Sequence, residues 1–339
     1  MHPGELALVA QIRSRASRLS TDEIRLGIGD DCALLRPRPG EEFAATTDLS
    51  VAGRHFQLDW HPPESVGHRT LARGLSDLAA MGARPVATFL SLGLPPALTT
   101  VTGHRPAWFQ LFFDGLLALA GTYGTPLAGG DLAESPLAVA DILLIGAVPQ
   151  GRALLRSGAR PGDALYVTGT LGGAAAGLAR LQILAAARKD SSRPPVIPAR
   201  LAPLLAPHLY PQPRIAQGLH LQRRGLASAA LDLSDGLSTD LARLCRESTV
   251  SAEVDAASLP VHPAATLAQA LHGGEDYELL FTAPASTRMP RSIAGVPITR
   301  IGRILPSRPG QSTVKLITPN GPQPLRPKGW EHFLAHDDL

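Results

Sequence analysis

Hydrophobic and polar positions change period repeatedly along the first 150 residues. Glu42–Thr47 reads as a short strand that should end at Asp48. Pro63–Met81 places its apolar residues at helical spacing and stops at Gly82, as a helix with a glycine C-cap does. Val86–Gly93 reads as a strand and Ala107–Tyr123 as an amphipathic helix, after which Thr125–Gly129 leads into Gly130-Asp131. Ala138–Val148 is apolar enough for a buried strand. A polar connection at Pro149–Gly162 follows, then a strand at Asp163–Gly169 and an Ala/Leu helix at Gly172–Ala187. Seven prolines crowd the twenty residues Pro194–Pro213. They argue against a regular helix or central strand there and for a long surface excursion. Beyond it, Ser228–Leu233, Glu278–Thr282 and Ile298–Ile304 read as strands and Thr239–Glu247 as a helix. Mixed elements in both halves predict an α/β or α+β protein with mixed sheets and flanking helices.

Composition narrows this. A chain of 339 residues exceeds one ordinary core, and 44% apolar residues can pack two, so domains at 1–149 and 150–339 are expected. The 32 basic residues nearly balance 29 acidic ones, with no block of five like charges, which argues against a nucleic-acid binder. Only Lys189, Lys315 and Lys328 are lysines, and none stands in a Gly-x-x-x-x-Gly-Lys-Ser/Thr loop. Any use of ATP therefore proceeds without a P-loop. Cys32 and Cys245 form no C-x-x-C pair, the usage of a reducing cytoplasm. The first residues lack a basic leader, and the strongest apolar stretches, Leu111–Ala120 and Ala138–Pro149, are too short to span a bilayer. A soluble cytoplasmic protein is expected.

The acids that attract notice stand beside glycine or hydroxyl residues: Gly29-Asp30-Asp31, Thr46-Thr47-Asp48, Ser76-Asp77, Gly129-Gly130-Asp131, Asp232-Leu233-Ser234-Asp235-Gly236 and Gly273-Gly274-Glu275-Asp276. Most fall where a predicted strand runs out into a turn. There a carboxylate can reach a ligand and glycine lets the backbone approach it. Mg²⁺ takes oxygen ligands, usually one or two carboxylates plus phosphate oxygens and water, so several such turns would build a polyphosphate site. Gly-Asp turns and Ser-Asp helix caps are also ordinary structure. Asp77 fits that plain reading poorly, because Leu75, Leu78, Ala79, Ala80 and Met81 surround it. Thr168–Ala174 follows a strand and opens a helix, but it lacks Gly-x-Gly-x-x-Gly; its glycines suit tight strand-to-helix packing.

Taken in order, these motifs resemble the thiamine-monophosphate kinases, members of a superfamily with aminoimidazole ribonucleotide synthetase and selenophosphate synthetase. The resemblance covers nearly the whole chain. It rests on Gly27–Ala33, Thr47-Asp48 with Val51–Phe56, Leu75–Ala83, Gly129–Asp131, Arg156–Asp163, Leu231–Leu237, Gly273–Leu280 and Lys328-Gly329-Trp330. It implies a two-domain aminoimidazole ribonucleotide synthetase-like fold that pairs through its N-terminal domains into a homodimer. It also implies direct phosphoryl transfer from ATP to thiamine monophosphate. Asp31, Thr46, Thr47, Asp48, Asp77, Asp131 and Asp232 would hold several Mg²⁺ ions, and Asp235 a further one. Gly130, Asp131, Arg156 and Ser234 would contact ATP, and His55, Glu275 and Trp330 the thiamine phosphate. Trp330 could instead be a packing anchor, His55 a core histidine and Arg156 a linker charge. Gly74 and Leu132-Ala133 depart from the family, which commonly has Asn and Thr there. Two rival readings are another ATP-using enzyme of the superfamily and a silent nucleotide or thiamine-phosphate binder; pure binding would not need so many like charges held together.

Overall fold

The computed structural model describes residues 4–101, 106–188, 197–307 and 313–330. The N-terminal half runs α1 (Glu5–Ala16), β1 (Ile24–Leu26), β2 (Leu34–Leu35), β3 (Glu41–Val51), α2 (Pro63–Ala80), β4 (Arg84–Leu94), α3 (Trp108–Tyr123), β5 (Leu127–Glu134) and β6 (Val139–Pro149). Four strands form a sheet in the order β3-β6-β4-β5, with only β4 and β5 parallel. Helices α2 and α3 pack on the face that buries Leu90, Leu92, Ile142 and Leu144. Their crossing is close because Gly67 and Gly115 carry no Cβ. One added at Gly67 would lie 1.8 Å from the Phe112 carbonyl oxygen, and one at Gly115 1.8 Å from that of Glu64.

The C-terminal half continues with β7 (Ala164–Thr168), α4 (Gly173–Ala186), α5 (Ala202–Leu209), α6 (Ile215–Arg224), β8 (Ala229–Asp232), α7 (Leu237–Glu247), β9 (Val250–Asp255) and α8 (Leu267–His272). It ends with β10 (Leu279–Ala283), β11 (Ser292–Ile293), β12 (Val296–Pro306), β13 (Val314–Thr318) and β14 (Gly321–Pro324). Its sheet is ordered β14-β13-β9-β12-β7-β10-β8, with β11 on β12. Tyr166, Ala230, Leu279 and Phe281 join the same core as α2, while α7 packs over the other face with Leu241 and Leu244. Helix α2 thus lies between the two halves, which is why fourteen of its eighteen residues are buried.

Mixed sheets with helices in both halves agree with the predicted class. Three local expectations need correction. Thr46-Thr47-Asp48 lies inside β3, because pairing with β6 continues unbroken from Glu41 to Val51. Gly129-Gly130-Asp131 likewise lies inside β5. A Cβ at Gly130, where φ is +147°, would stand 1.9 Å from the Leu90 carbonyl oxygen, so glycine is what lets the strand pair there. The proline-rich stretch is not a surface excursion over its described part: residues 202–209 form α5, with Leu205, His208 and Leu209 buried. Pro203 occupies the first turn, where no N–H is needed. Leu205 and Leu209 then pack against Leu181 of α4, which offsets the donor missing at Pro207. Residues 194–196 lie outside the described residues.

Candidate active site

Residues 69, 73 and 77 recur every four positions, so Arg69, Arg73 and Asp77 share one stripe of α2. Asp77 accepts from the Thr46 hydroxyl at 2.5 Å, and its neighbour Ser76 donates to Asp232 at the end of β8 at 2.7 Å. Burial pushes the Asp77 and Asp232 carboxyls upward, and the charge of Asp77 raises Asp232 further. Asp48 is pushed up to about 6, first by burial and then by the charges of Asp77 and Asp141, against the pull of Arg73. Its carboxylate pairs with Arg73 at 2.6 Å. Arg156, on the short turn Arg156–Gly158, favours the ionised forms of Asp77 and Asp232 by its charge. Thr46, Asp48, Asp77 and Asp232 are thus drawn together by contact or by field.

Asp31, Gly130 and Asp131 stand apart from that group. They line a cleft of about 640 Å³ with Arg13 and Phe89, and the Arg13 guanidinium lies over Gly29. In the sheet, Asp131, Ser91 and Asp141 are direct neighbours across β5, β4 and β6, on the face away from α2. Thr47 projects to that same face, opposite to Thr46. Among the described residues no three His, Cys, Asp or Glu side chains form a ready metal cage. The carboxylates stand in smaller sets of unlike setting.

A third group gathers after β8. The Ser234 carbonyl accepts from Glu275 N–H at 2.7 Å and the Asp235 carbonyl from Trp330 N–H at 3.3 Å. Asp235 is paired with Arg243, while Asp240 accepts from the backbone N–H groups of Asp235 and Gly236. His55 accepts from Val51 N–H on its Nδ1 at 3.0 Å. Its backbone carbonyl and the Glu275 carboxylate both accept from Arg69, at 3.2 Å and 2.5 Å. Burial would raise the Glu275 carboxyl, but Arg69, His208 and Arg73 outweigh it and hold the group well below the usual range.

Arg69, Arg73, Arg13 and His208 belong to none of the acidic motifs and join the site only in the fold. The four-residue spacing of Arg69, Arg73 and Asp77 was a usable signal; the approach of Arg13 and His208 was not, since it depends on distant segments. At the departure Gly74, a Cβ would meet Leu144 Cδ1 at 2.5 Å, so an Asn there would require Leu144 to move. The glycines of the Thr168–Ala174 turn serve packing, and Asp276 already occupies the N–H groups of Gly172 and Ala174 at 2.6 Å and 3.1 Å.

Residues 29–153 match the model of the AIR synthase related protein N-terminal domain, and residues 160–311 that of the corresponding C-terminal domain. The thiamine-monophosphate kinase of Escherichia coli K12 is 42% identical over 98% of this chain and 99% of its own length. The crystal structure of thiamine-monophosphate kinase from Stenotrophomonas maltophilia K279a superposes with a TM-score of 0.77 at 39% identity, covering 93% of this chain and 97% of that one. The structure of AaThiL complexed with AMPPCP and TMP superposes at 0.73 with 30% identity and 97% of both chains covered.

Proposed function

The chain belongs to the thiamine-monophosphate kinase branch of the AIR synthase related family, and from that premise we propose the following chemistry for it. It is an enzyme that phosphorylates thiamine monophosphate with ATP, giving thiamine diphosphate and ADP, the last step of thiamine diphosphate biosynthesis. The full-length 42% match carries this reading, and the carboxylates of Asp77 and Asp232, near enough for one to raise the other, suit it. Purified protein with Mg²⁺, ATP and thiamine monophosphate should form thiamine diphosphate and ADP in equal amounts. ATP turnover without diphosphate under ample Mg²⁺ would sink the assignment.

The acceptor phosphate is already an anionic oxygen nucleophile, so transfer needs no strong general base and no phosphoenzyme. It needs two repelling phosphates held in line. Hard oxygen donors fit Mg²⁺, and the charge of Asp77 that raises Asp232 is one a dication would relieve. Asp77, Asp232 and Thr46 would hold Mg²⁺, and Asp48 would join once Arg73 releases it. Asp31, Asp131 and Thr47 would hold it nearer the nucleotide cleft, and Asp235 would hold a further ion on leaving Arg243. Bound there, Mg²⁺ neutralises phosphate charge. Gly130 and Asp131 orient the nucleotide, with Arg156 and Ser234 at its phosphates; Arg13 adds a cation to the same cleft. His55, Glu275 and Trp330 hold the thiamine phosphate, an aromatic face and a carboxylate suiting a cationic thiazolium.

Mg²⁺ binding should release protons and tighten as pH rises through neutrality, because the Asp77–Asp232 pair sits above the ordinary carboxylate range without a cation. Calorimetry in buffers of different ionisation enthalpy reads the proton count. An affinity unchanged between about pH 6 and about pH 9 rejects the shared site.

The domain boundary lies just after β6, near residues 149 and 150, and the compartment is the cytoplasm. Among the described residues no helix is long and apolar enough to cross a membrane. Two copies pair through the β3-β6-β4-β5 face opposite α2. Phe43 and Leu49 are 38% and 49% exposed there, an apolar surface that a second sheet would cover. Sedimentation should find a dimer that Leu49→Asp weakens toward monomer; a wild-type monomer at micromolar concentration contradicts the pairing.

A further inference from the structure

Behind His55 and Glu275 lies a buried polar network that the chemistry above does not use. Arg69, His61 and His208 are 5%, 2% and 2% exposed and come from α2, the loop before it and α5. The Gln57 backbone presents both its N–H and its carbonyl to His61 Nδ1, at 3.1 Å and 3.3 Å, and so meets either ring tautomer. His61 Nε2 lies 3.0 Å from His208 Nε2, and Arg69 Nη1 reaches both, donating to His208 Nε2 at 2.6 Å and standing 3.2 Å from His61 Nε2. His208 therefore carries its proton on Nδ1, which faces Glu275 Oε2 at 3.4 Å. Arg69 Nη2 completes the circuit to Glu275 Oε1 and the His55 carbonyl. Both histidines are neutral, held down by burial and then by the Arg69 charge, to about 2 for His61 and about 4 for His208. One guanidinium thus balances one carboxylate, and two imidazoles fix its orientation.

The backbone shows why such fixing is needed. Glu275 and Tyr277 take φ values of +66° and +51°, a region costly for residues with a Cβ unless neighbours hold them there. Backbone bonds from Glu275 N–H to Ser234 and from Tyr277 N–H to Leu233 fix the turn's main chain ahead of β10, which begins at Leu279, and leave the Glu275 side chain to be placed separately. The side-chain anchor comes from Arg69 and His208. The proline-rich segment acquires a purpose in the same way: α5 delivers His208, and the Pro211 carbonyl that follows it accepts from His68 of α2 at 2.8 Å.

We propose that Arg69, backed by His208 and His61, is a positioning residue for thiamine monophosphate, holding the Glu275 carboxylate and the His55 backbone in the arrangement that receives this substrate. The inference rests on the reading of Glu275 and His55 as substrate contacts. Arg69 acts through them and need not touch the substrate.

Steady-state kinetics on the full chain test it. Arg69→Met should raise KM for thiamine monophosphate roughly 10- to 100-fold, the size of a lost charge-assisted hydrogen bond, with KM for ATP within about twofold. Arg69→Lys should recover part of the loss, since it keeps the charge. Arg69→Met combined with Glu275→Gln should be no worse than the weaker single variant, because both remove the same contact. His208→Asn should shift the same KM in the same direction and serves where Arg69→Met does not fold. Unchanged KM in folded Arg69→Met or His208→Asn overturns the proposal, as do multiplicative effects in the double variant. If Glu275→Gln raises KM while Arg69→Met does not, the contact stands and the positioning role falls. If Glu275→Gln leaves KM unchanged, the contact itself is wrong and the relay falls with it.

Discussion

Asp77→Asn is expected to lower kcat by about 10²–10³-fold, the scale of removing one preorganised electrostatic contact, while the fold survives. Asn has the same shape and can still accept from the Thr46 hydroxyl. It removes a half-buried negative charge that repels Asp232, so the melting temperature should stay level or rise. Loss of turnover without loss of stability is therefore the signature of a group kept for charge. Near-wild-type kcat at saturating Mg²⁺ and ATP would remove Asp77 from the reaction. Asp131→Asn provides the companion measurement, since Asp131 lies in the separate cleft with Asp31. If only one variant is inactive, that cleft alone holds the essential charge.

Arg214→Met should have the opposite signature, a large stability loss whose origin lies outside the chemistry. Arg214 grips the buried Glu278 carboxylate with two hydrogen bonds, at 2.6 Å and 2.5 Å, and Thr168 donates a third at 2.6 Å. Glu278 has no room to retreat, because Gly169 packs directly on its carboxylate. Removing the cation leaves a buried charge without its partner, at a cost of about 3–5 kcal/mol. Urea denaturation reads this as a lowered midpoint, and pairing Arg214→Met with Glu278→Gln should restore part of it. A loss below about 1 kcal/mol would mean that water or another group reaches Glu278.

Much of this arrangement was visible along the chain because its causes are local. Helix α2 starts with Pro63 in its first turn and stops at Gly82, at +65°, both readable from residue type. Asp77 stands out as an acid among apolar neighbours, and it is half-buried against Thr46, with Asp232 within reach of its charge. Strand β9 is equally local in origin: Val250–Asp255 alternates buried and half-buried positions, the period of two of a strand. Helix α5 runs against its residue types. Proline content argues against a helix, and only the packing of Leu205 and Leu209 on α4 overrides it.

The sequence by itself determined the class of chemistry. Oxygen donors in acidic motifs, too few lysines for a P-loop and the order of those motifs follow from residue identity, which no fold can alter. Tertiary structure decided which of those acids work together. Asp77 meets Asp232 across 155 residues only because α2 lies between the two sheets, whereas Asp31 and Asp131 fall in another cleft. It also decided which cations attend them: Arg73 on Asp48, Arg69 on Glu275 and Arg13 over Gly29. Local pattern is set by neighbours along the chain, but the pairing of charges is set by distance through space, and that exists only once both halves have packed against α2.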